Sequence, residues 1–281
     1  MNVLSLFDGI SCGQLALHKL GVNYKYFASE ISIDAMTVTQ HHFPDTIQLG
    51  DIRNYHNFNL PKIDLLIGGS PCQGFSFAGK ELNFKDERSK LFFEFVECVA
   101  FFKPTYFMLE NVIMRSAYSD IITKYLGVEP VCINSALVSA QNRNRLYWAN
   151  FPISQPNDKS ILFTDKINGI PGRMVGRRIV DGKRKDLNKS IPYRQYIECR
   201  SDNKSNCVTT VLKDIVVTNT FIERELIENC EYRYAAAHEL EWLQTIPENY
   251  TAVIKKSKRV DAIGNAWTVD VITHILSHLP L

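Results

Sequence analysis

A cysteine on a proline- and glycine-rich loop is the first residue here that could do chemistry. Gly68-Gly69-Ser70-Pro71-Cys72-Gln73-Gly74-Phe75-Ser76 holds Cys72 where core packing is poor, whereas a lone cysteine is more often a small buried hydrophobe. As a thiolate such a residue is a nucleophile. Further along, Glu110-Asn111-Val112 offers a carboxylate beside an amide. Gln141-Asn142-Arg143-Asn144-Arg145 brings two cations spaced to share one face of an extended strand. Glu30 could accept hydrogen bonds from ribose hydroxyls, and Asp51 from an adenine amino group, with Phe7 covering the ring edge. The turn Phe7-Asp8-Gly9-Ile10-Ser11-Cys12-Gly13 reads GxxxG, not the GxGxxG that lets a backbone approach a pyrophosphate. A phosphate-free ligand with ribose, adenine and an amino-acid tail fits it better, yet spacing alone leaves S-adenosylmethionine and a nicotinamide cofactor both open.

These residues need a scaffold that gathers strand ends. Strand-like runs fall at Val3–Phe7, Tyr24–Ser29, Ile63–Gly68 and Tyr106–Glu110, with a weaker one at Val131–Asn134. Helical spacing separates them: Leu15, Leu17 and Leu20 before Gly21, then Leu91, Phe92, Phe95, Val96, Val99 and Phe102 before Pro104. The alternation predicts an α/β fold, a parallel sheet with helices on both faces, and ligands in such sheets bind at the strands' carboxyl ends. After Phe151 the chain turns polar, basic and turn-rich as far as Tyr234, with β-branched runs at Val208–Leu212 and Ile215–Thr218. Helical patterning returns at Ala235–Leu243 and Thr268–Leu279. The expected organisation is one α/β domain over 1–151 and 235–281, interrupted at 152–234 by a small irregular β-containing domain.

Composition narrows the classes without choosing among them. At 281 residues, 45% hydrophobic and 22% charged, the chain reads as an ordinary globular protein with a net charge of +2. It has no apolar run of the ~18 residues that span a bilayer. The first apolar run meets Asp8 without a basic leader, so no signal peptide and a cytoplasmic location are expected. Seven cysteines without a CxxC pair, and His274 and His278 without a third ligand, argue against a metal site. Between Arg173 and Lys189 seven cations face two acids, which matters only if other residues point to nucleic acid.

Other residues do point there. The SPCQGFS loop, the ENV triplet, the QxRxR element, Leu240–Thr251 (LEWLQTIPENYT) and the terminal IGNAWTV occur in the order of the DNA cytosine C5-methyltransferase family, which the chain resembles from Val3 to about Leu279. Details such as LSLFDGISCG and GNAWTVDVITHIL look most similar to the catalytic domains of eukaryotic de novo DNA methyltransferases and their bacterial or phage relatives. The resemblance implies a Rossmann-like S-adenosylmethionine-dependent methyltransferase sheet, with 152–234 as a target-recognition domain.

It also implies site residues. Cys72 would add to cytosine C6, Glu110 would hold or protonate ring N3, and of Arg143 and Arg145 one would hold the carbonyl oxygen while the other braces the site or a phosphate. Cofactor contacts would come from Phe7, Asp8, Gly9, Ile10, Cys12, Glu30, Ile31, Asp51, Ile52, Pro71 and Leu91, closed by Asn265, Ala266 and Trp267. Many family members read GNSV where this chain reads Gly264-Asn265-Ala266-Trp267, so backbone contacts there carry over better than side-chain ones. A base within a duplex must flip out to meet a thiolate. Gly74–Glu87 would close over it, and Gln73, Ser76, Lys80, Arg173, Arg177, Arg178 and Lys183 are the candidate contacts to double-stranded DNA. A restriction endonuclease is compatible as a partner, and the sequence is silent on oligomeric state and on the base that removes the C5 proton, for which water is left. Rival readings are a transfer-RNA methyltransferase, a non-catalytic DNA-binding homologue and a nicotinamide dehydrogenase. The first characteristically carries a Cys-Phe-Thr element absent here, the second typically loses the cysteine or cofactor loop, and the third leaves Cys72, Glu110 and Arg143 without a task.

Overall fold

The computed structural model describes residues 1–70 and 87–280, with side chains from residue 91 onward in the second span. The chain divides into two compact units. Unit 1 comprises Met1–Asn134, Asn144–Asn157 and Ala266–Leu281, and unit 2 comprises Ser135–Arg143 and Asp158–Asn265. Residues 235–265, which the return of helical patterning groups with the first part of the chain, pack in unit 2, and unit 1 resumes at Ala266.

Unit 1 is built on seven strands: β1 (Asn2–Leu6), β2 (Lys25–Ser29), β3 (Ile47–Gln48), β4 (Leu65–Gly69), β5 (Tyr106–Val112), β6 (Pro130–Asn134) and β7 (Asn144–Ala149). Their order is β3-β2-β1-β4-β5-β7-β6. The first five pair in parallel, while β7 runs antiparallel to both β5 and β6. Val3 points to one side of β1 and Leu4 and Leu6 to the other, and all three are fully buried, as expected of a parallel strand covered on both faces. The flanking helices include α1 (Cys12–Lys19), α2 (Ile33–His42), α3 (Glu87–Phe102), α4 (Ser116–Leu126) and a C-terminal helix, Val269–Leu276. On α3 the fully buried face is Phe92, Phe95 and Cys98, whereas Phe101 is about half exposed. A β carbon at Gly68 would lie 3.0 Å from Leu6 O and 3.1 Å from the Phe95 ring, so glycine sets how closely α3 approaches β4. The aromatic core closes with Phe107, Leu109 and Trp148.

Unit 2 holds a five-stranded antiparallel sheet and a small hairpin. Its strands are β8 (Ile170–Arg177), β9 (Ile179–Val180), β10 (Lys183–Arg184), β11 (Arg194–Cys199), β12 (Val216–Thr218), β13 (Glu225–Leu226) and β14 (Tyr232–Tyr234). The sheet order is β13-β11-β8-β12-β14, and β9 pairs with β10. Asp181 and Gly182 join that pair with φ of 48° and 72°, the left-handed pair that a two-residue hairpin turn of this twist requires. Two helices, α5 (Ala237–Leu243) and α6 (Lys256–Asn265), complete the unit. The expected run Val208–Leu212 is not a strand: Val208 is a buried loop residue in a core with Phe163, Ile215, Leu240 and Ile263. Burial, not pairing, accounts for its β-branched side chain.

Candidate active site and cofactor crevice

In unit 1 the sheet order reverses at β1, which has β2 on one side and β4 on the other, and ligands of open α/β sheets bind outside the carboxyl ends of the strands at such a point. The turn leaving β1 holds Phe7, Gly9 and Ser11 in left-handed conformation, with φ of 56°, 58° and 58°. For the two non-glycine residues this costs on the order of 1 kcal/mol each. Side chains hold the turn in place. Asp8 accepts from Tyr26 Oη at 2.8 Å and from Ser11 Oγ, and Glu30 Oε2 accepts from Gly9 N at 2.8 Å. A β carbon at Gly13 would lie 2.4 Å from Ile67 Cδ1 and 2.9 Å from Tyr26 Oη, so glycine sets how closely α1 packs on those side chains. Burial pushes the Asp8 carboxyl up to about 6, against hydrogen bonds from Ser11, Ser5 and Tyr26 that favour its charged form. Tyr26 is itself pushed well up, by burial and by the Asp8 charge.

The expected cofactor residues fall into three groups. Ile10, Cys12 and Ile52 are buried core side chains, so only their backbone could meet a ligand. Glu30 and Ile31 stand at the end of β2, where Glu30 Oε1 accepts from Ile31 N and Ser32 N at 2.8 Å and Ile31 is 69% exposed, an apolar surface beside a carboxylate. Asp51 caps a 3-10 turn over Ile52–Asn57 and pairs with Arg53, whose hydrogen bond holds the carboxyl below its ordinary range. Leu91 is half-buried and Ala266 buried, while Asn265 is exposed at the end of unit 2. Pro71, Cys72, Gln73, Ser76 and Lys80 lie outside the described residues, as does Gly74–Asp86 of the expected closing loop.

The best-defined constellation surrounds Glu110. This residue sits on β5 opposite Gly69 of β4 and is 8% exposed. Arg145 Nε lies 3.0 Å from Glu110 Oε1, and Trp267 Nε1 donates to Glu110 Oε2 at 2.9 Å. The neighbouring Asn111 is buried and donates to Ser70 Oγ at 3.0 Å and Ser70 O at 3.3 Å, which fixes the last described residue before Pro71 and Cys72. Two residues of the ENV triplet thus hold separate parts of one site. Ser70, and Trp267 as a partner of the carboxylate, were missed in the sequence; the adjacency of Asn111 to Glu110 was the only available hint.

The two arginines do not share a strand face. Strand β7 begins at Asn144, so Arg145 lies on it, while Arg143 precedes it in unit 2. There Arg143 is 5% exposed and donates to Val208 O at 2.7 Å, Cys207 Sγ at 3.2 Å and Gly264 O at 3.5 Å. Its neighbour Gln141 is fully buried, accepting from Val208 N and donating to Gln244 Oε1. Unit 2 uses both as internal ties.

The basic cluster is also partly committed. Arg173, Arg177 and Arg224 converge on Glu198 at 3.0–3.2 Å. Burial works to raise the Glu198 carboxyl, but the arginine hydrogen bonds overcome it and lower it to about 2. Arg178 donates to Ile191 O and Asp186 O and lies 5.3 Å from the centre of the Tyr193 ring. Lys183, on β10, is exposed, as are Lys185 and Lys189. Among the described residues no three His, Cys, Asp or Glu side chains group as metal ligands, and no helix is long and apolar enough to cross a membrane. His274 and His278 both meet Ser154 Oγ, at 3.2 and 2.9 Å.

Solved structures share this fold. A triple mutant of Spodoptera frugiperda DNMT2 shares the fold with a TM-score of 0.66, 18% identity and 99% coverage of both chains. The family model described as C-5 cytosine-specific DNA methylase matches residues 1–120. The orphan methyltransferase M.SPRI of Bacillus phage SPR is 34% identical over 165 residues, covering 52% of this chain and 37% of its own length. The type II methyltransferase M1.ScrFI of Lactococcus lactis subsp. cremoris is 29% identical over 296 residues, 96% of this chain and 76% of its own. The chain thus spans about a third of the phage relatives' length, at 37% and 32%, and more of the lactococcal one.

Proposed function

We propose that the chain methylates C5 of cytosine in double-stranded DNA, using S-adenosylmethionine and Cys72 as nucleophile, and acts in the cytoplasm. The observation that carries this is Glu110, a buried carboxylate fixed by Arg145 and Trp267 on the strand beside β4, which ends three residues before Cys72 in the sequence. The crevice fits the cofactor on its own terms. Glu30, at the end of β2, offers a carboxylate for ribose hydroxyls, and Ile31 beside it offers apolar surface for a purine. When bound, S-adenosylmethionine supplies an electrophilic methyl group.

The chain's residues do the rest. The Cys72 thiolate adds to cytosine C6 while Glu110 gives a proton to N3, so the electron pair of the opened C5–C6 double bond becomes available at C5. Arg145 holds the base's carbonyl oxygen and neutralises the carboxylate that Glu110 becomes. Once C5 carries the methyl group, water removes the C5 proton, Cys72 leaves C6, and N3 returns its proton to Glu110. Arg143 acts at a distance, as a brace within unit 2. Unit 2 serves as the target-recognition domain, with Lys183 facing phosphate. Because relatives bear type II names, a restriction endonuclease is the partner to look for.

Duplex DNA containing 5-fluorocytosine tests this directly, because fluorine cannot leave C5 as a proton does. An adduct that needs S-adenosylmethionine and maps to Cys72 is the expected result. Protein that binds S-adenosylmethionine yet forms no adduct on any duplex, while forming one on RNA, would move the substrate class to RNA.

A further inference from the structure

We propose that Trp267 is a positioning residue for Glu110, locking the carboxylate in the orientation that serves cytosine N3 and tying it to the first turn of α1. The inference rests on the function proposed above and goes beyond Trp267 as a cofactor wall. Three observations carry it.

First, the indole N–H is committed to the carboxylate, 2.9 Å from Glu110 Oε2, while Arg145 Nε takes Oε1. Arg145 alone would leave Glu110 free to turn about its terminal torsion; a second donor on the other oxygen fixes the carboxylate plane. Indole is a donor only and keeps its proton, so it can hold Oε2 without competing for the proton that Glu110 handles. Second, a glycine makes room for the ring. A β carbon at Gly69 would lie 2.9 Å from both Glu110 Oε2 and Trp267 Nε1, while the far edge of the indole sits beside Gly13, where a β carbon would fall in ordinary contact with Trp267 Cζ3 at 3.4 Å. One indole therefore reaches from the first turn of α1 to the carboxylate. Third, its base is rigid. Ala266 and Thr268 are 6% and 1% exposed, and the helix that follows is tied to α1 by Lys19–Asp270 at 2.7 Å. Positioning of this kind matters because a catalytic group held loosely loses much of its effect.

The test uses the full chain labelled with ¹⁵N. Of its three tryptophans, Trp148 donates to Thr123 Oγ1 and serves as an internal reference. Glu110→Gln is expected to move the Trp267 indole resonance and leave that of Trp148 in place. Trp267→Phe keeps the ring's packing and deletes the donor. It is expected to leave the affinity for S-adenosylmethionine and the KM for duplex DNA within a factor of a few, and to slow single-turnover methyl transfer by about 10- to 100-fold. A Trp267 resonance indifferent to Glu110→Gln overturns the proposal. So does a Trp267→Phe enzyme that binds S-adenosylmethionine poorly but transfers methyl at the wild-type rate when saturated. Should the wild-type chain prove inactive on DNA, the functional reading fails, and the indole resonance alone decides whether Trp267 positions the carboxylate.

Discussion

Arg145 and Glu110 form an ion pair across the antiparallel junction of β7 and β5, Nε to Oε1 at 3.0 Å, with side chains 15% and 11% exposed. In register Arg145 faces Val112 and Glu110 faces Tyr147, so the two are diagonal neighbours on one face of the sheet, within reach of long side chains. Removing one partner from so sheltered a pair leaves the other charge in a poor solvent. Arg145→Ala is expected to lower the unfolding free energy by about 3 kcal/mol, and Glu110→Gln on that background to recover part of it. Urea denaturation of the two variants and the parent checks this; strictly additive losses would mean the pair contributes nothing as a pair.

Glu110→Gln alone tests the chemistry. The amide keeps the shape but cannot give up a proton as the acid does. Methyl transfer is expected to fall by about 10²- to 10⁴-fold while S-adenosylmethionine binding stays unchanged. Single-turnover assays beside calorimetric binding separate the two. A variant within a few-fold of wild type would remove Glu110 from the catalytic step.

Asp8 gives a pH dependence of definite sign. Burial lifts its carboxyl from 3.8 to about 6, so the folded chain holds this proton more tightly than the unfolded one. The resulting stability is full below about pH 4 and declines as pH rises through 6, a total of roughly 3 kcal/mol. Asp8→Asn cannot lose a proton. Its stability relative to wild type is therefore expected to climb between pH 4 and 6 and then level off. A difference that does not vary with pH contradicts the assignment.

In unit 2, Glu198 behaves in the opposite sense. Its carboxyl is lowered to about 2 by its arginine partners, so its stabilising effect is present above its ordinary value of 4.5 and is lost as pH falls toward 2. Glu198→Gln should destabilise the chain at pH 7 and converge with wild type in acid. The same cluster sorts the basic residues. Arg177→Ala is expected to act mainly on stability, since Arg177 already pairs with Glu198, whereas Lys183→Ala should reduce the salt slope of DNA affinity by about 1. Titrations at several salt concentrations distinguish them, and equal slopes for Lys183→Ala and wild type would remove Lys183 from the DNA contacts.

Much of unit 1 is legible in the sequence because its signals are local. The apolar run of β1, the turn to Gly13 and the buried face of α3 each follow from neighbours a few positions away. What is hidden depends on distant partners. Nothing near Arg143 or Arg145 reveals that one ties down Val208 and the other meets Glu110. The convergence of Arg173 and Arg177 on Glu198 spans more than twenty residues, and the cluster reads as solvated charge until that acid is placed. Val208–Leu212 misleads for a related reason: β-branched residues suit a buried loop as well as a strand, and only the surrounding core decides. Helices α5 and α6 likewise carry ordinary amphipathic patterns, which state that a face is buried but not against which unit.

The most direct test is bisulfite sequencing of genomic DNA from a methylation-free bacterial host expressing the chain, beside a Cys72→Ala control. Cytosines protected within a recurring sequence, and unprotected in the control, are the predicted result. Soluble protein that binds S-adenosylmethionine but protects no cytosine would contradict DNA methylation as its activity.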